Sequence, residues 1–248
     1  MFDKEYAKKI LEEFLSFPLE DSKEILEKFA SLPNAIYCND GEKRNFVYVP
    51  GTREDKVLLI AHSDTVWDKL YFNYGKIGQS VKFENGIYSG VKEDFGIGAD
   101  DRSGCAILWL LKDSGHSLLI TDGEESGRIG AFQIKEKYPE IFEELNQHSY
   151  MIQFDRRNAT DYKCYRIPVT DEFKAFIEKE TNYVDAGVSA FTDIVTLCDK
   201  ICGVNFSVGY YNEHSEYEKL VFDEWYNTLE VAYNMLNKEQ KRFLLKSK

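Results

Sequence analysis

No run in this 248-residue sequence approaches the length of a membrane span, and the opening Met1-Phe2-Asp3-Lys4-Glu5 lacks the basic-then-apolar layout of a signal peptide. The expectation is a protein of the cytoplasm, with no membrane partner. Positive charge is also scarce: 31 Lys and Arg stand against 43 Asp and Glu, a formal charge of −12. No segment supplies the basic surface on which phosphate binding depends, which argues against nucleic acid as a partner. Five cysteines, an odd number without a repeated spacing, make a disulfide framework unexpected. Nor does any repeat or Gly/Ser/Pro-rich linker divide the chain. What is there, 43% hydrophobic and 30% charged, is the composition of a globular protein long enough to bury a substantial core.

Periodicity then places the elements. Residues 3 to 16 put Tyr6, Ile10, Leu11, Phe14 and Leu15 on one helical face, and Asp21-Ser22 opens a second helix carrying Ile25, Leu26 and Phe29. Asn45 to Pro50 and Val57 to Ala61 read as strands, and Asn85-Gly86 between short β-favouring runs predicts a hairpin. A helix with the apolar body Ala106, Ile107, Leu108, Leu110 and Leu111 opens at Asp100-Asp101. Strands are expected at Ser117 to Thr121, Tyr150 to Phe154 and Val204 to Val208. Helical patterns cover residues 127 to 147, broken near Pro139, then Thr170-Asp171 to Tyr183, Ser189 to Cys202, and one long stretch from Glu216 to about Leu245. The Cys198-x3-Cys202 spacing falls in the third of these and reads as core packing. Strands alternating with helices imply an α/β fold: a single three-layer domain over residues 1–248, its central sheet mixed but mostly parallel and flanked by helices.

In such sheets ligands sit outside the carboxyl ends of the strands. Four apolar runs here end in acidic or imidazole groups: Ile60 leads into His62 and Asp64, Ile120 into Glu124 and Glu125, Phe154 into Asp155, and Val208 into His214. Asp100 and Asp101 begin a helix at what would be the same edge. So many carboxylates cannot share a desolvated cleft as bare anions. Two divalent cations resolve the conflict, and one carboxylate can bridge both. Imidazole plus carboxylate without thiolate suits zinc, with manganese or cobalt as alternatives.

Taken in order, His62-Ser63-Asp64-Thr65-Val66, Gly98-Ala99-Asp100-Asp101-Arg102-Ser103-Gly104, Glu124-Glu125, Asp155 and Glu213-His214-Ser215 resemble the motifs of the co-catalytic di-zinc exopeptidases, the family of leucyl aminopeptidase, peptidase T and carboxypeptidase G. The resemblance implies two zinc ions, one held by His62 and Asp155, the other by Glu125 and His214, with Asp100 bridging. It implies that Asp64 takes the other ring proton of His62 and fixes its orientation. Glu124 would be the general base, drawing a proton from a metal-bridging water as that hydroxide attacks the scissile carbonyl, then passing it to the leaving amine. Larger relatives carry an inserted lid or dimerisation domain. Here 37 residues lie between His62 and Asp100 and 58 between Asp155 and His214, which leaves room only for the elements already assigned and points to the compact, lid-less form.

The function implied is a zinc-dependent aminopeptidase acting on short peptides or similar amides. A related amidohydrolase or carboxypeptidase acting on N-acyl amino acids is the alternative within the family. Arg156 and Arg157, which either meet a substrate carboxylate or neutralise Asp161 and its neighbours, are its only support. A non-catalytic metal-binding protein of the same fold is the alternative outside enzymes, and oligomeric state is left open. Singly, each piece has a commoner reading: His62 a satisfied core histidine, Asp100-Asp101 a helix cap, Glu124-Glu125 a solvated turn. Their joint occurrence reverses that weighting. His116 and His148, outside the motifs, read as surface residues. Trp67, Tyr71, Phe72 and Tyr74 line a substrate pocket or stack within a loop.

Overall fold

The apolar runs that end in polar groups become neighbouring strands. In the structure, a computed structural model that describes residues 2–41, 43–70, 80–91 and 95–246, β1 (Ile36–Cys38), β2 (Phe46–Val49) and β3 (Leu58–His62) enter a large sheet. A hairpin of β4 (Val81–Glu84) and β5 (Ile87–Gly90) stands apart from it, and β6 (Ser117–Thr121), β7 (Met151–Arg156), β8 (Asp161–Lys163), β9 (Val184–Asp185) and β10 (Gly203–Ser207) complete it. Its order is β1-β2-β6-β3-β7-β10-β8-β9. The four middle strands β6, β3, β7 and β10 run parallel, with His62 opposite Thr121 and Ile60 opposite Gln153. Their carboxyl ends therefore meet along one edge. Every residue of β3 and β6 is buried, as strands covered on both faces require.

The helices are α1 (Lys4–Ser16), α2 (Lys23–Ala30), α3 (Ala99–Leu111), α4 (Ile129–Lys137), α5 (Pro139–Leu145), α6 (Asp171–Thr181), α7 (Asp193–Leu197) and α8 (Phe222–Leu236). The Asp3 carboxylate caps α1 by accepting the Tyr6 N–H at 2.7 Å. Helix α3 packs between α1 and strands β3 and β7. Only glycine fits at 104 on this helix, because a Cβ there would strike the Phe154 carbonyl and the Asp101 carboxylate. Among the described residues no helix is long and apolar enough to cross a membrane.

A second, antiparallel sheet has the order β11-β12-β5-β4, with β11 at Tyr210–Tyr211 and β12 at Lys219–Val221. Asn85 and Gly86 close its hairpin, both at positive φ (52° and 81°), the geometry of a type I′ turn. This sheet brings the chain following β10 into contact with the segment preceding α3.

Three sequence expectations need correction. The helix expected from Ser189 to Cys202 is only Asp193–Leu197, because the Asn146 side-chain oxygen accepts the N–H groups of Asp199 and Lys200, each at 3.0 Å, and turns the chain out of the helix. Cys198 and Cys202 thus lie outside it, though both still pack on the core. The long helix from Glu216 is instead strand β12 followed by α8, which stops at Leu236. Val221 donates to the Gly209 carbonyl, and the Gln240 amide covers the carbonyls of Met235 and Lys238. His116 and His148 are not at the surface: they are 2% and 1% exposed. His116 accepts the Val57 N–H at 3.0 Å and lies 3.0 Å from the Leu236 carbonyl. His148 lies 2.7 Å from the Ser117 hydroxyl and 3.0 Å from the Leu145 carbonyl, so both are fully satisfied core histidines.

Candidate active site

Strand β3 ends in His62, whose backbone N–H donates to Asp101 Oδ2 at 3.1 Å. Its ring Nδ1 lies 3.0 Å from the Asp64 backbone carbonyl and 3.4 Å from the Asp64 carboxylate. A ring that donates from Nδ1 turns the Nε2 lone pair inward, toward Asp100 Oδ1 at 3.3 Å and Asp155 Oδ1 at 3.4 Å. Asp100 faces a second imidazole with its other oxygen: His214 Nε2 lies 3.1 Å from Asp100 Oδ2 and 2.8 Å from Glu125 Oε1. Two clusters, His62-Asp100-Asp155 and Asp100-Glu125-His214, therefore share one aspartate.

The electrostatics show what the arrangement needs. Burial alone would lower the pKa of His62, yet Asp155, Asp100 and Asp64 hold it well above the ordinary imidazole value. Its hydrogen bonds to Asp100 and Glu125 push His214 up to about 11. Burial works to raise Asp100, but the two imidazoles hold it below the usual carboxylate range. Glu124 is pushed up to about 9 by burial; His62 opposes the shift, and Asp155, Asp193 and Asp100 reinforce it. Each histidine needs a positive charge between its Nε2 and the facing oxygens, supplied by a proton or by a metal ion.

The donor set fits metal. Ligands about 2.0–2.1 Å from a tetrahedral zinc stand roughly 3.3 Å apart, and the His62 contacts of 3.3 and 3.4 Å match that spacing. The Asp100 Oδ1 atom is buried without a satisfying hydrogen bond, as expected of an oxygen that awaits a cation.

All seven residues singled out in the sequence lie at this edge. Asp64 does more than face His62: its two oxygens accept the backbone N–H groups of Glu124 at 3.0 Å and Glu125 at 3.2 Å. Strand β3 thereby holds the turn after β6, on which both glutamates sit. Asp155 is held in turn by Gln153 at 3.0 Å, by the Thr192 hydroxyl, and by the Tyr210 hydroxyl at 3.3 Å. Arg156 lies 2.8 Å from Asp161, and Arg157 2.8 Å from Glu213, so both are paired within the chain. Trp67 packs edge-on against Phe95, while Tyr71, Phe72 and Tyr74 lie outside the described residues.

Two buried carboxylates, Asp193 and Glu218, escaped the sequence reading, and a third, Asp101, reads there only as opening or capping the helix. Asp101 accepts the Gly104 N–H at 3.1 Å as well as that of His62, capping α3 while tying it to β3. Asp193, pushed up to about 7 by burial, takes a hydrogen bond from Thr121 beside the two clusters. Glu218 accepts three backbone N–H groups: Ile97 and Gly98 at 2.8 Å on Oε2, and Asp100 at 3.0 Å on Oε1. It thus fastens the segment leading into Asp100 to the segment following His214. Asp101 lies within a motif and was visible as its second carboxylate, whereas nothing local marks Glu218, 118 residues away from Asp100.

The order of the sheet and its helical layers define an α/β fold used by peptidases. Solved structures share it along their whole length: aminopeptidase PepT from Bacillus cereus ATCC 10987 aligns with a TM-score of 0.68 at 13% identity, covering 95% of this chain and 98% of that one. A tripeptidase from Staphylococcus aureus gives 0.67 at 12% identity over 96% and 98%. The TET1 peptidase of Pyrococcus horikoshii gives 0.62 at 14% identity over 93% and 99%. No protein-family model matches this sequence, and no curated protein matches it. At these identities the likeness establishes the common fold, and the chain is similar to these peptidases in that respect.

Proposed function

We propose that this protein is a metal-dependent exopeptidase of aminopeptidase type, built to hold two divalent ions, zinc by the chemistry of its ligands. The observation that carries the reading is the divided carboxylate of Asp100, one oxygen toward His62 and the other toward His214. His62 and Asp155 would hold one ion, Glu125 and His214 the other, and Asp100 both. Bound there, the pair would supply Lewis acidity, acidifying a water and polarising the carbonyl of the bond to be cleaved.

The chain's own groups do the rest. Asp64 fixes the His62 ring and the Glu124–Glu125 turn together, so base and ligands keep one geometry. Glu124 ionises once positive charge is placed beside it. It then takes the proton of the attacking water and returns it to the amine nitrogen of the leaving group. The peptidase neighbours support hydrolysis of short peptides. The pairing of Arg156 and Arg157 within the chain removes the particular support for an N-acyl amino acid substrate. A full set of ligands with Glu124 in place favours turnover over mere metal binding.

Metal analysis and a Glu124→Gln variant test this. The expected result is two ions per chain in both proteins and a rate of aminoacyl-amide hydrolysis lowered about 10²–10⁴-fold in the variant. Metal-free protein from a preparation never treated with chelator, or undiminished hydrolysis by the variant, overturns the reading.

A further inference from the structure

A cavity of about 350 Å³ lies between the turn before α2 and the ends of β2 and β6. Its walls include Glu20, Lys43, Asn45, Asp68 and Asp122. One oxygen each of Asp64, Asp68 and Asp122 lies within 4.8 Å of the other two, and all three residues are buried. Such a cluster alone means little. A second observation gives it direction: Asp68 is only 7% exposed, and its Oδ1 has no hydrogen-bond partner. Glu20 Oε2 and Asn45 Oδ1 are likewise buried and unsatisfied. A buried oxygen left without a donor is costly, more so when it is charged.

We propose that this cavity is a third cation site, taking a hard divalent ion such as calcium on the carboxylates of Asp64, Asp68 and Asp122. The charge count supports a divalent ion. Glu20, Asp21, Asp68 and Asp122 on its wall, with Asp64 beside them, stand against the two ammonium groups of Lys23 and Lys43, and Lys43 sits on Asp68 Oδ2 and leaves Oδ1 unmatched. The donors here are all oxygens, with no imidazole, a set that suits calcium, magnesium or manganese and discriminates against zinc. The three oxygens are close enough to share one calcium, whose ligands lie about 2.3–2.6 Å from it. The Asn45 amide oxygen and Glu20 supply further donors of the same kind. Asn45 Nδ2 already donates to Asp122 Oδ2 at 3.1 Å, and Ser22 to Asp122 Oδ1 at 3.0 Å, so the Asp122 ligand is held in position. An ion here would brace Asp64, and through it the turn bearing Glu124 and Glu125. The site stands whether or not the peptidase reading does.

The test is calorimetric titration of calcium, with magnesium and manganese as parallel arms, into the full chain saturated with zinc. The expected result is one calcium per chain in addition to the zinc. Asp68→Asn should weaken calcium binding at least about tenfold, and Lys43→Met, which removes a competing ammonium, should tighten it by about the same factor. Tightening cannot arise from misfolding, so the second variant keeps the test sound if the first is unstable. Absence of calcium binding by the parent chain, unchanged affinity in Asp68→Asn, or no gain in Lys43→Met each overturns the proposal.

Discussion

Glu218→Gln separates a carboxylate that positions the centre from one that is merely buried. Glu218 is 2% exposed and holds three backbone N–H groups, two on one oxygen and one on the other. Glutamine keeps one accepting oxygen and turns an NH₂ group toward at least one of those donors. The variant therefore loses a hydrogen bond to a charged acceptor, about 1.5–3 kcal/mol, and leaves a buried N–H unmatched, which brings the expected loss to about 2–4 kcal/mol. Burial pushes the Glu218 carboxyl up to about 7, so the comparison belongs well above that pH, where it is ionised. Urea unfolding reads the stability loss. Because Glu218 joins the Asp100 segment to the His214 loop, metal analysis should also show the second ion, at Asp100, Glu125 and His214, weakened more than the first. A stability change within about 0.5 kcal/mol, the range of ordinary surface substitutions, together with full metal content, would refute the positioning argument.

Other expectations follow from the same contacts. Burial holds His148 at about 4 against an ordinary value of 6.5. Above pH 6.5 it is neutral whether folded or unfolded; as pH falls from there toward 4 only the unfolded chain takes the proton, so stability falls over that window and levels off below it. The span is about 3 kcal/mol. The difference in urea-unfolding free energy between the parent and His148→Gln should shrink by roughly that amount over the window, and parallel curves would sink the assignment. Gly104→Ala should destabilise by about 1–3 kcal/mol, since its methyl meets the Phe154 carbonyl on one side and the Asp101 carboxylate on the other; an unchanged melting temperature would show that α3 can back away from β7. Asp155→Ala should remove a ligand of the His62 ion while sparing the other, read as about one ion per chain instead of two.

The ends of β3, β6, β7 and β10 could be read locally because each strand is a short, largely apolar run closed by a polar group, and burial on both faces demands that pattern. The short strands β1, β8, β9 and β12 could not, since strands of two or three residues carry no period of their own. The apolar spacing that suggested a helix from Glu216 to Leu245 holds over Phe222–Leu236, but it cannot report that Leu220 pairs across a sheet with Tyr88. His116 and His148 show the same limit: what decides their burial is a partner, Val57 for one and Ser117 for the other, brought from far along the chain.

For the site, the sequence by itself determined which imidazole and carboxylate side chains leave their strands at a common edge, because residue type and strand ends are local properties. Only the tertiary structure decided how they divide the work. That Asp100 turns one oxygen to each histidine, that Asp64 holds the glutamate turn, that Glu218 clamps the approach to Asp100, and that a second acidic cavity lies beside Asp64 are all matters of distance between segments tens of residues apart. Such distances are set by the packing of the sheet and its helices as a whole, and no window of sequence contains them.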